Sequence, residues 1–293
     1  MAGRFVRALG APFRAVRRQW RTLLQIVAEH REFRVQIFQL AAADIVKTYR
    51  GSALGWMWAI VKPSVTIFVY WFAFSVGMRA GKPVSSTDGT LEFPFFLWLI
   101  AGIVPWFYIS EMLTQGTKTL KRYSYLVTKI KFPVSTISTF VSLSKLYVHL
   151  ALLAVVVIIF VLFGYPIDIY FIQLPLYTLL MFVFFTAWSL FAAPLSAVSK
   201  DFANVVNSLI MAVFWMSGIL WDPNRIDIEW LRKLLLFNPV TFLAYGYRNV
   251  FVYKQWFFED RFALGAFGFV MAVMLVMAVR TYGRLRREIA DVL

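Results

Sequence analysis

The sequence predicts an all-α integral membrane protein, with six transmembrane helices preceded by an amphipathic helix lying in the membrane interface. Three observations carry this. First, 60% of the 293 residues are hydrophobic and only 15% are charged, against about 25% charged in a soluble domain. A water-soluble fold of this length cannot hide so much apolar surface. Second, six stretches contain no Asp, Glu, Lys or Arg: 63–78, 93–110, 146–167, 169–199, 202–221 and 262–279. About 20 apolar residues in a helix cross a hydrocarbon core of about 30 Å. Third, the net charge of +15 is concentrated in a few segments instead of being spread along the chain. These features exclude a soluble enzyme. They also exclude a nucleic-acid-binding protein, because a basic patch needs a polar scaffold to present it. Zero cysteines remove disulfides and thiolate metal sites.

Residues 1–50 form a cytoplasmic amphipathic unit. Phe13, Val16, Trp20, Leu23, Leu24 and Val27 share one helical face, and Arg14, Arg17, Arg18 and Arg21 fall mostly on the other. That is the pattern of a helix in the interface, drawn to anionic lipid. It is not a signal peptide, since no apolar core precedes its arginines. Residues 51–293 form one transmembrane domain, with spans at about 56–79, 93–117, 139–164, 169–199, 202–221 and 262–282. Lys62 interrupts the first near one end, where its long side chain can snorkel to the headgroups. A seventh apolar patch, 234–252, is broken by Asn238-Pro239 and carries Arg248. It reads as two half-helices meeting at a turn.

Charge sets the orientation. Residues 1–50, the segment from Lys118 to Lys131 and the tail from Arg280 contribute +7, +5 and +2, which is 14 of the 15 net charges. The remaining loops are nearly balanced. The positive-inside rule therefore places both termini in the cytoplasm. No G-x-x-x-x-G-K-[ST] loop is present, so the chain is not expected to hydrolyse ATP itself. The two histidines, His30 and His149, and the scattered acids offer neither a metal site nor a catalytic pair.

The stretch 44–63, DIVKTYRGSALGWMWAIVKP, is physically an interfacial helix turning into the bilayer, with small residues at the bend and Trp56 and Trp58 at headgroup depth. As a string, D-x-x-x-x-Y-R-G-S-x-L-G-x-x-W followed by proline resembles the permeases of the ABC-2 type polysaccharide and teichoic acid export family. The resemblance runs through AGIVPWF with Glu111 and Gly116-Thr117, YSYLVTKIKFP at 123–133, SAVSKDFANV, FWMSGILW and FNPVTFLAYGYRNV. Lys200-Asp201 stands where the family usually carries Arg-Asp, and Lys62 stands where an Asn is usual. VYWFAFSVGMRAGKPV, the QGTK at 115–118 and QWFFED at 255–260 are most similar to the wall teichoic acid branch.

The resemblance implies two copies of this chain around a central passage, joined to two ABC ATPase subunits that hold ATP and Mg. The chain itself carries no cofactor. A coupling segment at 121–133 is implied to dock on the ATPase through Lys121, Arg122, Tyr123, Tyr125, Leu126, Lys129, Phe132 and Pro133, with Tyr123, Tyr125 and Leu126 expected to be exposed. The turn at 198–204 is a weaker second contact. Residues 229–252 are implied to be re-entrant half-helices on the outer side, turning at Asn238-Pro239, with Arg248 aimed at a headgroup or at the passage. Passage or gate candidates are Trp71, Phe74, Trp98, Trp106, Phe107, Tyr108, Phe214 and Trp215. The implied cargo is wall teichoic acid on an undecaprenyl diphosphate carrier, an anionic lipid-linked polymer received near Lys47, Tyr49 and Arg50. The implied setting is the cell membrane of a Gram-positive bacterium. The alternative keeps the exporter and changes the cargo to O-antigen, capsule or another lipid-linked polysaccharide. A membrane enzyme acting on lipid-linked sugars lacks a visible catalytic set.

Overall fold

In hydrocarbon an unpaired backbone amide is costly, so an open chain crosses a membrane as helices, and apolar runs of this length dictate them. The structure, a computed structural model, describes residues 17, 19–130, 132–223 and 226–286, and over these the chain is almost wholly helical. Helix α1 (19–32) and helix α2 (Arg34–Tyr49) precede α3 (Trp58–Trp71). A two-stranded hairpin follows, β1 (Val84–Ser85) pairing antiparallel with β2 (Glu92–Phe93) in the register Val84 to Phe93. Helix α4 (Phe95–Glu111) leads to the short α5 (Thr119–Arg122) and α6 (Ser124–Thr128). The long α7 (Val134–Leu162) and α8 (Leu174–Val198) come next, then α9 (Lys200–Met216). The chain closes with α10 (Glu229–Leu235), α11 (Pro239–Arg248) and α12 (Arg261–Leu285).

Among the described residues, five helical stretches are long and apolar enough to cross a membrane: Gly55–Gly77, Phe95–Gly116, Val134–Leu162, Ile169–Val198 and Arg261–Leu285. The chain is a multi-pass membrane protein. The sixth expected span, 202–221, is a shorter object. Helix α9 has 17 residues, roughly 25 Å at 1.5 Å per residue, and ends where Gly218 takes a φ of +65°.

Helix α4 is the centre of the molecule, buried almost without interruption from Leu97 to Trp106. Helices α7 and α11 pack around it, α8 packs on its continuation Met112–Gly116, and α12 packs on α8. Helix α3 lies at the periphery with Val65, Phe68, Val69 and Phe72 exposed. Its approach is set by the backbone: Gly51 and Gly55 take φ of +84° and +52°, a left-handed conformation that a Cβ disfavours. The RGSALG string is thus the bend itself.

Helix α1 lays Trp20, Leu23, Leu24 and Val27 outward, the apolar stripe of an interfacial helix. Its other side is tied to the ends of α7 and α12. Glu29 accepts hydrogen bonds from Ser135 and from the Tyr282 hydroxyl (2.9 Å), and the His30 ring bonds Thr139 (2.6 Å). Phe13, Val16, Arg14 and Arg18 lie outside the described residues.

Residues 229–252 break where the sequence predicts. Asn238 caps α11, its side chain accepting from the Val240 amide (3.0 Å) and donating to Ser217 (2.8 Å), with Pro239 at the first helical position. Arg248 corrects an expectation. It faces neither headgroups nor a passage but is fully buried. Its guanidinium lies 3.5 Å from the centroid of the Trp98 ring and donates to the carbonyls of Gly218 (2.7 Å) and Ile219. Helix α9 stops short and leaves carbonyls without intrahelical partners. The guanidinium fork binds the carbonyls of the turn just past that end, Gly218 and Ile219, and carries positive charge to the negative end of the helix dipole.

Gly102 makes room for this fork, because a Cβ there would collide with the Arg248 guanidinium. Gly102→Ala is expected to destabilise the protein by roughly 1–3 kcal/mol, the usual cost of overpacking. Thermal unfolding in detergent reads it, and an unchanged midpoint would remove this packing constraint.

Candidate functional site

Helix α2 turns Ile37, Ala41 and Asp44 inward at spacings of four and three, one stripe of a 3.6-residue period. The third residue of that stripe is a carboxylate, 3% exposed. Its oxygens accept from Ser144 of α7 (2.6 Å), from the Tyr123 hydroxyl between α5 and α6, and from Arg122 at the end of α5 (3.3 Å). Arg122 also donates to Gln115 (3.1 Å), and the Lys47 ammonium lies 5.3 Å from the centroid of the Tyr123 ring. Burial first, and then the bond to Asp44, push the Tyr123 phenol above its ordinary value, so it stays a donor. One carboxylate therefore joins α2, the short α5–α6 segment and α7.

The 121–133 segment differs from expectation in which face it shows. Tyr123 and Leu126 are buried, not exposed, because Tyr123 reaches Asp44 and packs edge-on against Phe140 (4.9 Å). Phe132 is also buried, edge-on to Phe33 (5.1 Å), and Pro133 precedes α7. The outward face consists of Lys121, Tyr125 at 42% exposure, Lys129 and Ile130. Spacing alone could separate these sets: 120, 123, 126 and 127 point in, while 121, 125 and 129 point out. Lys131 lies outside the described residues. The turn at Ser199 between α8 and α9 leaves Lys200 and Asp201 exposed.

Beside the Asp44 junction lies a cavity of about 500 Å³, walled by α2, α3, α4 and α7. Tyr49 and Ser52 line one side of it, and Lys62, with its ammonium 5.8 Å from the centroid of the Trp58 ring, lines another. Across it, Lys145 pairs with Glu111 at 3.3 Å. Lys145 is 8% exposed, and an ammonium at such a depth needs an anionic partner. Burial, then the charges of Glu111 and Asp44, raise the Tyr49 phenol. Lys47 and Arg50 stand at the rim, exposed, where α2 ends. Sequence reading missed Lys145 because it borders an uncharged run; a lone lysine well past the basic cluster at 118–131 is the signal that finds it. The cavity holds two lysines, one glutamate and several hydroxyls, a set suited to an anionic, hydroxyl-bearing headgroup.

The aromatic candidates divide. Trp98, Trp106, Tyr108 and Phe214 are buried. Trp98 donates to the Tyr253 hydroxyl (2.8 Å), Trp106 packs on Phe214 (5.0 Å), and Tyr108 bonds Ser142 (2.7 Å). Trp106 and Phe214 pack between helices, whereas Tyr108, with Phe107, also lines the cavity beside the Asp44 junction and Trp98 lines another of about 340 Å³. Trp71, Phe74 and Phe107 are half-buried, and Trp215 is exposed on α9. His149 is a core residue, bonded to the Tyr247 hydroxyl at 2.7 Å. Asn238 and Pro239 form the α10–α11 turn. Among the described residues no cluster of three His, Asp or Glu side chains could hold a metal ion.

A family model for ABC-2 type transporters matches residues 35–252, from α2 through the turn after α11. The chain belongs to the ABC-2 type transporter family. It is 25% identical over 270 residues to the O-antigen export system permease protein RfbA of Myxococcus xanthus, covering 92% of this chain and 99% of that protein. It is 22% identical over 251 residues to the RfbA protein of Klebsiella pneumoniae, covering 85% and 92%. These names point to O-antigen permeases and not specifically to the teichoic acid branch. Both relatives come from Gram-negative species, so a Gram-positive origin has no support from them.

The Asp44 junction makes a quantitative prediction. Asp44→Asn and Tyr123→Phe each remove one side of a contact, and their effects on unfolding are expected to be non-additive by about 0.5–3 kcal/mol, the range for residues sharing a buried network. A double-mutant cycle on the detergent-purified protein measures it, and strict additivity would dissolve the junction.

Proposed function

We propose that this chain is the membrane permease of an ATP-driven exporter for a lipid-linked polysaccharide of the O-antigen class. The similarity to O-antigen export permeases over nearly the whole chain carries the reading. Two copies assemble with two ABC ATPase subunits, which supply ATP and Mg and the hydrolysis that this chain does not perform. In the exporter α9 serves as a sixth crossing, α10 and α11 are re-entrant from the outer side, and both termini are cytoplasmic, in keeping with the charge bias. The outward face of Lys121, Tyr125, Lys129 and Ile130 docks on the ATPase. Movement there passes through Tyr123 and Arg122 to Asp44, and so to α2 and the bend before α3.

The cargo's lipid diphosphate is received in the cavity beside that bend. Arg50 and Lys47 supply positive potential at its rim, and Lys62 and Lys145 supply charge-assisted hydrogen bonds within it. A second reading, wall teichoic acid as cargo, is favoured by the strings at 69–84, 115–118 and 255–260.

One reconstitution separates the two. The permease and its ATPase, placed together in liposomes, are expected to hydrolyse ATP faster with a neutral lipid-linked polysaccharide than with lipid-linked poly(polyol phosphate). The reverse order would favour teichoic acid, and no response to either would sink the exporter reading. In the same assay Arg50→Ala and Lys145→Met are expected to raise the half-maximal cargo concentration roughly tenfold, as the loss of one charge-assisted hydrogen bond does, with assembly intact. Unchanged half-maximal concentrations would remove both residues from cargo recognition.

A further inference from the structure

The QWFFED string and the broken helices before it take no part in the cytoplasmic cavity. They wall a second one, about 420 Å³, at the opposite end of the molecule. It opens beside the start of α12, at Ala263, whereas α1 meets α12 at Tyr282. Nineteen residues of helix, roughly 28 Å, separate the two ends.

The wall is built rigidly. Lys254 takes a left-handed φ of +56° and pairs with Asp168 at 2.6 Å, turning the chain back after α11. The buried Gln173 side chain then grips both sides of Trp256: its amide donates to the Gln255 carbonyl (3.0 Å), and its carbonyl accepts from the Phe257 amide (2.7 Å). The Trp256 amide donates to Glu259 (3.0 Å). An indole is thereby fixed at the cavity without being buried in the core.

Around it stand planar hydrogen-bonding groups of both polarities: the Arg232 guanidinium, the Asn249 amide and the Glu259 carboxylate. On the inner wall the Thr241 hydroxyl, fully buried, has no hydrogen-bond partner in the protein. A cavity of this size, with an aromatic face and a few placed polar groups, matches a small-molecule site.

We propose that this cavity is a saccharide-binding site on the exit face, occupied by sugar units of the exported polymer. The inference rests on the polysaccharide-export reading. The chemistry selects the occupant. One arginine faces the carboxylates of Glu259 and Asp260, so the site carries excess negative charge and disfavours a phosphate headgroup. Paired donors and acceptors beside an indole fit a neutral, hydroxyl-rich ring.

The complex of permease and ATPase in nanodiscs tests this by saturation-transfer NMR. The probe is the lipid-free oligosaccharide released by mild acid from the host's own surface polysaccharide. Transfer to the sugar protons is expected with the unmodified complex. Trp256→Ala and Glu259→Gln are each expected to weaken binding roughly tenfold, while Trp256→Phe retains most of it. The glutamine variant preserves shape and so separates recognition from folding. Absent transfer, binding unaffected in both variants, or displacement by short-chain phosphatidylglycerol would overturn the site. Cargo-stimulated ATP hydrolysis by the same sample keeps the two ideas apart. If stimulation persists and transfer is absent, this cavity inference fails alone; if stimulation is absent, the exporter reading fails.

Discussion

The buried carboxylate of Asp44 is the constraint on which one end of the molecule depends. A charge at 3% exposure must be met by donors from more than one direction. Here they come from α5, from the α5–α6 junction and from α7. Satisfying one residue therefore fixes the relative placement of three elements far apart in sequence. The basic segment that turns its tyrosine and arginine inward to do this turns Lys121, Tyr125 and Lys129 outward. The docking face of the proposed exporter and its internal lever are two sides of the same short helices.

At the other end Arg248 has a parallel role with the opposite sign. It holds the turn that follows a helix which stops early, using Trp98 as a platform and Gly102 as clearance. Both nodes place one ion in a low-dielectric interior and surround it with geometry that only that ion satisfies. One ties α2 to the segment after α4, the other ties α11 to the start of α4.

Much of this was legible in the sequence. Uncharged runs located the five long helices, because the bilayer imposes a length and a composition that a reader can count. The break at Asn238-Pro239 was legible because a capping side chain followed by proline has a fixed meaning. The directions of side chains were less so. Tyr123 and Leu126 read as exposed because they sit among lysines, yet burial there is decided by a carboxylate 79 residues away in the chain. Arg248 read as facing a headgroup or the passage because nothing in its neighbourhood names the carbonyls of Gly218 and Ile219. Lys145 went unread because it borders an uncharged run. The end of helix α9 was not legible, because its apolar run continues past the turn at Ser217–Gly218 and hydropathy does not register where a helix ends.

The bend before α3 has a mechanical meaning. Neither Gly51 nor Gly55 has an atom within 4 Å of where a Cβ would stand, so the bend has no side-chain stop of its own. It is a swivel whose angle is set remotely, by what holds α2 on one side and what seats α3 on the other. Helix α3 is largely uncovered, with Pro63 its buried residue. In the proposed exporter, a force applied at α5 and α6 would reach α3 through this bend as torque.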